Sequence, residues 1–244
     1  SIAGMIAVHH ETSTGILNPI RELASLAHQH AIPFVVDAVS SLGGEELKMD
    51  EWGIDICVAA SNKSLESVPG VAPVAVGRDA WKYMEKKQFA APGWYLNLRL
   101  WKQYLEEWGN WHPSPVTMAT STVIALNAAL EELVKEGLEN RIARYKETAR
   151  YFRQSIGELG FQLFVEGPQA SSCISSISRL PNLDVHSLVT FLLEEKNIQI
   201  AGGLGRTKGE IFRVGHMGKA SSRDYVDELL EAIQEFMRKP IRKD

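Results

Sequence analysis

Two short apolar runs constrain this 244-residue chain more than any other feature: Phe34-Val35-Val36-Asp37, and Ile54-Asp55-Ile56-Cys57-Val58-Ala59-Ala60. Each is rich in β-branched or aromatic residues and has the length of a strand buried on both faces. The first leads into Ala38-Val39-Ser40-Ser41-Leu42-Gly43-Gly44 and the second into Ser61-Asn62-Lys63, so each delivers one ionisable group, Asp37 or Lys63, to the end of an expected strand. In open α/β sheets, ligand chemistry sits at the carboxyl ends of the strands.

The rest of the chain supports such a sheet. Residues 4–9 read as a strand. A helix follows from Asn18-Pro19 to about His30, with Pro19 suited to its first turn. After the runs at 34–37 and 54–60, the breaker Pro69-Gly70 precedes another strand at 71–76. Alternation of this kind predicts a mainly parallel sheet covered by helices. Helical patterns continue at 79–87 and 121–135, the latter placing Val123, Leu126, Leu130 and Leu133 on one face expected to be buried. Gly137 marks the expected division between a large domain, residues 1–136, and a small α+β domain, residues 137–244. The second is predicted to run helix (138–159), strand (161–165), strand (173–179), helix (184–196), strand (198–201), strand (210–215) and helix (221–237).

Composition narrows the function classes. A 45% hydrophobic content suffices for a buried core, and 26 basic against 30 acidic residues give a net charge of −4 with no long basic run. Nucleic-acid and anionic-membrane partners therefore have little support, and small metabolites are favoured. Cys57 and Cys173 both lie in apolar, strand-like surroundings, which predicts buried free thiols in a reducing, cytoplasmic setting. No apolar run approaches the roughly 20 residues of a membrane helix, and no basic segment followed by an apolar run, the pattern of a secretory leader, is seen in these residues. The opening Ser1-Ile2-Ala3-Gly4-Met5 enters a strand directly and reads as a chain cut from something longer.

A carboxylate and an amine on neighbouring strand ends suit pyridoxal 5'-phosphate. The Lys63 amine can form a Schiff base with the aldehyde and later carry a proton to and from the substrate α-carbon. Asp37 can keep the ring nitrogen protonated through a charge-assisted bond worth about 1.5–3 kcal/mol. Taken singly, Lys63 would be a solvated loop lysine and Asp37 a capping carboxylate. Their pairing favours the cofactor.

The motifs carry a family resemblance as well. His10-Glu11-Thr12-Ser13-Thr14-Gly15-Ile16-Leu17-Asn18-Pro19, Val36 to Gly44, Ser61-Asn62-Lys63, Pro69-Gly70, Gly137-Leu138-Glu139-Asn140, Gly202-Gly203-Leu204-Gly205 and Phe212-Arg213-Val214-Gly215-His216-Met217-Gly218 occur in one order along the chain. In these the chain resembles the class V pyridoxal-phosphate-dependent aminotransferases, most of all the alanine–glyoxylate and serine–pyruvate group, with the N-terminal part missing. The resemblance implies the fold type I (aspartate-aminotransferase-like) α/β architecture and a homodimer with active sites near the interface. It further implies transfer of an amino group from an alanine- or serine-type donor to a glyoxylate- or pyruvate-type acceptor. By position it assigns Val39 to the face of the cofactor ring, Thr12 to its phenolic oxygen, and Ser61 and Asn62 to the neighbourhood of ring and phosphate. Thr117 would reach the phosphate of the other subunit, and Arg213 would clamp the substrate carboxylate. That last role suits a planar two-bond donor.

Two other enzyme readings stand beside this one. The Glu11 to Pro19 segment and Asn62-Lys63 also resemble 2-aminoethylphosphonate–pyruvate aminotransferases. Cysteine desulfurases share the fold, but they carry histidine before the lysine and a mobile nucleophilic cysteine, where this chain has Asn62 and strand-like cysteines. A reading of another class is a non-catalytic remnant of the fold. Gly203-Leu204-Gly205-Arg206-Thr207-Lys208-Gly209 fits neither phosphate-loop nor dinucleotide spacing, and His9-His10 and His28 with His30 lack metal-ligand spacing.

Overall fold

The structure, a computed structural model, describes residues 2–86 and 93–239. The first strand, β1 (Met5–Val8), is followed by a hairpin of two short strands, β2 (His10–Glu11) and β3 (Ile16–Leu17), and by helix α1 (Ile20–Gln29). Next come β4 (Phe34–Asp37), the single-turn α2 (Met49–Trp52), β5 (Ile56–Val58) and β6 (Val74–Val76). These strands form a sheet in the order β1-β4-β5-β6, parallel except for the antiparallel β6.

Strand alternation decides which side chains reach the core. Met5 and Ala7 of β1, Phe34 and Val36 of β4, and Cys57 of β5 face α1, whose Ile20, Ala24 and Ala27 form a buried stripe at helical spacing. Burying a side chain the size of Phe34 contributes roughly 1.5–3 kcal/mol. The opposite face carries Ile6, Val8, Val35, Asp37, Ile56 and Val58. Nothing among the described residues covers its outer part: Ile6 is 76% exposed.

Helices α3 (Arg78–Lys86), α4 (Leu98–Trp108), α5 (Thr120–Glu136) and α6 (Leu138–Glu158) follow. The expected end of α3 at Lys87 lies outside the described residues. Helix α4 has no counterpart in the sequence reading, and none of its residues is fully buried. Instead Tyr104 and Trp108 meet edge to face at 4.5 Å, and the Asn97 side chain caps the helix by accepting from the Leu100 amide. The expected buried stripe of α5 is also corrected: Leu126 is buried, Leu133 half-buried, and Val123 and Leu130 are exposed. The helix packs beside α6 and Gly70, which leaves most of that stripe open among the described residues.

The second sheet is wholly antiparallel, with β7 (Gln162–Leu163), β8 (Ile174–Ser178), β9 (Ala201–Gly202) and β10 (Ile211–Gly215) in the order β7-β8-β10-β9. Helix α7 (Val185–Lys196) begins at Asp184, whose carboxylate accepts the Ser187 amide at 2.7 Å, and ends at Asn197 in the left-handed region. Leu188 and Leu192 of α7 join Phe152 and Ile156 of α6, and Val226, Leu229 and Ile233 of α8 (Arg223–Arg238), against Ile177, Phe212 and Val214 of the sheet. No described helix is long and apolar enough to cross a membrane.

Candidate active site

Asp37 is the last residue of β4, and its parallel-ladder partner is Val58 at the end of β5. It lies on the face that α1 leaves free, in a row with Val8, Val58 and Val74. The carboxylate thus stands among apolar neighbours at the carboxyl edge of the sheet. Its Oδ1 accepts the Val39 amide at 2.9 Å, which also fixes Val39 beside it, and Oδ2 has no hydrogen bond among the described residues.

The chain continues from β5 into a loop that presents Lys63. Ser61 comes two residues before it. Its hydroxyl is buried, donates to the Val68 carbonyl at 2.6 Å and accepts the Val71 amide at 3.4 Å, so it closes the base of the loop. Asn62 is exposed, and the half-buried Lys63 makes no hydrogen bond or ion pair with the described residues.

The Ser40 carbonyl in the Asp37 turn meets both this loop and β2. The Ser40 carbonyl accepts from Ser64 Oγ at 3.3 Å and lies 3.1 Å from His10 Nδ1. A carbonyl only accepts, so His10 carries its proton on Nδ1 and a bare lone pair on Nε2, which is buried without a partner among the described residues. Burial lowers the pKa of this imidazole, and the charge of Lys63 lowers it further, against the Ser40 bond and Glu11. His10 was no candidate in the sequence, where nothing separated it from an ordinary core histidine.

Arg213 brings the second sheet to the same edge. Its Nη1 donates to the Thr12 carbonyl at 2.8 Å and its Nε to the Gly202 carbonyl at 2.9 Å, leaving Nη2 without a bond among the described residues. Thr12 itself is half-buried in the turn of the β2–β3 hairpin, where the Glu11 carboxylate accepts the Ser13 amide at 2.8 Å. Burial lowers the Arg213 pKa, opposed by the charge of Glu11. Thr117 is not drawn in: it is exposed in the loop before α5, and no described bond links it to Asp37 or Lys63.

A buried carboxylate pins the two regions together behind the site. Glu45 accepts from the Ser171 hydroxyl at 2.9 Å and from the amide and hydroxyl of Ser172. The close approach requires glycine at position 44, where a Cβ would lie 2.6 Å from both Cys173 Sγ and Ser64 Oγ. Burial pushes the Cys173 thiol up to about 12 and raises that of Cys57. Neither sulfur is a thiolate at neutral pH, so neither is suited to nucleophilic chemistry.

These features fit pyridoxal phosphate. A carboxylate with one oxygen unspent, a lysine without an acidic partner and an orphaned buried imidazole nitrogen converge on one sheet edge. Among the described residues no group of three or more His, Cys, Asp or Glu side chains is arranged to hold a metal.

Comparison with known proteins places this arrangement in a family. Residues 3–221 match the class-V aminotransferases, and the chain belongs to that family. Its members are pyridoxal-phosphate-dependent, and the α/β architecture is that of the fold type I aminotransferases. More particularly, the chain is 35% identical over 228 residues to an uncharacterized aminotransferase of Methanocaldococcus jannaschii, covering 93% of this chain and 58% of the relative. It is 30% identical over 243 residues to the alanine–glyoxylate aminotransferase of Callithrix jacchus, covering 96% of this chain and 57% of that protein. The crystal structure of an alanine–glyoxylate aminotransferase from Nostoc sp. superposes with a TM-score of 0.90 at 30% identity, covering 97% of this chain and 62% of that one. The chain thus spans a little under six-tenths of the length of the curated relatives it matches.

Proposed function

We propose that the protein is an aminotransferase that holds pyridoxal phosphate covalently through Lys63 and moves an amino group from a small amino acid of the alanine or serine type to a 2-oxo acid of the glyoxylate or pyruvate type. The observation that carries this reading is the placement of Asp37 at the end of β4 and of Lys63 in the loop that follows β5, its parallel neighbour, each with its reactive atom unspent. When bound, the cofactor supplies an electron sink for negative charge at the substrate α-carbon. Asp37 Oδ2 holds the ring nitrogen protonated, and Val39 supports the ring face. Thr12 offers a hydroxyl to the phenolic oxygen. Asn62 and, from a second subunit of a homodimer, Thr117 stand toward the phosphate. Ser61, whose hydroxyl closes the loop, stands in the neighbourhood of the ring and phosphate.

Lys63 then acts twice. Displaced by the amino donor, its amine takes the α-proton as a general base and returns a proton as an acid. Arg213 binds the substrate carboxylate. With Nε and Nη1 committed to backbone carbonyls, a two-bond clamp requires one of those bonds to be exchanged for the ligand. In this reading residues 1–136 form the cofactor-binding domain and residues 137–244 the small domain that supplies Arg213. The buried thiols leave a desulfurase reading without a nucleophile.

Separate assays with alanine, serine and 2-aminoethylphosphonate as donors, each against glyoxylate and pyruvate, test the substrate class. Turnover with alanine or serine, and a two-step kinetic pattern in which the first product leaves before the second substrate binds, are expected. Turnover with the aminophosphonate alone would overturn the donor assignment.

A further inference from the structure

The loop that carries Lys63 is held from a distance by a charged cluster on α6, and the same cluster grips the segment that follows Arg213. Glu66, three residues after Lys63, sits at φ +59°, a left-handed conformation that a glutamate seldom adopts without an external hold. Its amide donates to the Lys63 carbonyl at 2.8 Å, so its position and that of Lys63 are coupled through one tight turn. Its carboxylate accepts from the Tyr145 hydroxyl, and the guanidinium groups of Arg144 and Arg141 stand 3.6 and 3.7 Å away.

Arg141 is almost wholly buried, and its Nη1 has no hydrogen bond. The Glu66 carboxylate is an anion to which that nitrogen is turned. Glu136 fixes both guanidinium groups from the other side, accepting from Arg141 Nε at 2.8 Å and Arg144 Nε at 2.6 Å. On the far side of the cluster the Tyr145 oxygen accepts the Gly218 amide at 3.1 Å, and Arg144 Nη1 donates to the Gly218 carbonyl at 3.0 Å. Gly218 lies just beyond the end of β10, the strand that carries Arg213.

From this junction we infer that Glu66 is a positioning residue for transamination: clamped by Tyr145, Arg141 and Arg144, it sets where the Lys63 amine stands relative to the carboxylate-binding Arg213. The inference rests on the proposed roles of Lys63 and Arg213. Reacting groups held in a near-attack geometry lose about a hundredfold in rate when displaced by an ångström. Glu66 touches neither substrate nor cofactor; it acts through the backbone of the Lys63 turn. A purely structural staple would instead show itself in stability, with the turnover of the folded fraction unchanged.

The two roles separate in the holoenzyme. Glu66→Gly relieves the left-handed backbone while removing the anchor. It should keep the melting temperature within a few degrees but lower kcat by about 10- to 100-fold, with KM for the amino donor changed less than about threefold. Glu66→Gln keeps an acceptor for Tyr145 and should recover most of the rate; Tyr145→Phe should fall between. In parallel, the rate at which borohydride fixes the cofactor to the Lys63 peptide, measured at limiting pyridoxal phosphate, should fall in Glu66→Gly and recover in Glu66→Gln. Wild-type kcat and labelling rate in folded Glu66→Gly, with the wild-type label on Lys63, would overturn the positioning role alone. A wild-type label elsewhere would overturn the Lys63 reading and this inference with it.

Discussion

The two sheets of this protein are secured in different ways. The antiparallel sheet is packed by three helices, with Phe152, Leu188, Phe212 and Ile233 among its fully buried side chains. The parallel sheet has one packed face, against α1, and one that is open at Ile6 and Val8 among the described residues. Asp37 lies on the open face of the less buried sheet, with the Lys63 loop beside it. The groups that fix this edge come largely from elsewhere: Ser171 and Ser172 around Glu45, Arg213 on Thr12, and Tyr145 on Glu66. The candidate site thus lies where local packing is thin, and the well-packed region around the second sheet supplies contacts that hold it.

The largest expected effect tests the chemistry of the open face. Asp37→Ala removes a side chain whose only described bond is to the neighbouring Val39 amide. Transamination should fall by several orders of magnitude, a loss of several kcal/mol in the transition state, while the urea midpoint moves little. Near-normal turnover in the folded variant would remove Asp37 from the mechanism.

The packed faces come next. Phe212→Ala and Phe34→Ala each empty a fully buried position and should cost about 3–5 kcal/mol, read from denaturation midpoints at constant slope. A much smaller cost at Phe34 than at Phe212 would show that the α1 side of the first sheet is more loosely packed than its burial indicates.

Acid should destabilise both regions. His216 is fully buried, with Nε2 2.8 Å from Ser175 Oγ, and burial lowers its pKa to about 3; that of His9 falls to about 4, also through burial and then through the charge of His10. Both lie below the unfolded value of 6.5, so from that value downward the unfolded state binds more protons and stability falls as pH drops. The loss develops between pH 6.5 and about 3 and reaches a few kcal/mol. Glu45, its pKa raised by burial, opposes this slope above the ordinary carboxylate range. In His216→Gln the acid limb should be shallower than in the wild type; an identical limb would remove His216 as a cause.

Arg213→Lys should raise KM for amino and oxo acids together by about tenfold, since a point charge cannot replace a planar clamp. Unchanged constants for both would place Arg213 outside the substrate site. The smallest effect belongs to the open face. Ile6→Thr at a position 76% exposed should change stability by less than about 0.5 kcal/mol. A larger loss would mean that the open face is covered in solution.

The same contrast governs what could be read from the sequence. β4 was legible to the residue because an apolar run of strand length ends on one charge. α7 and β10 were legible too, each within a residue or so of the observed bounds. Asp37, Lys63 and Arg213 were readable because each is a charged group within or just beyond a strand. Helix α4 was not, since none of its residues is fully buried and Tyr104 and Trp108 contact one another instead of marking a buried stripe. The residues that hold the Lys63 loop from behind were hidden for another reason. Glu66, Tyr145 and Arg141 meet across long stretches of chain, and a lone glutamate in a loop leaves no periodic or motif signal. Ser61 was legible as a site-edge residue, but its occupation with Val68 and Val71 depends on a loop closure that spacing does not reveal.

The central claim is that Lys63 carries the cofactor. Borohydride reduction of the protein in the presence of pyridoxal phosphate, followed by peptide mapping, tests it most directly. The account predicts a single labelled peptide containing Lys63, and noncovalent cofactor binding without proton transfer in Lys63→Ala. Label on another lysine with Lys63 unmodified, or transamination retained in Lys63→Ala, would contradict it.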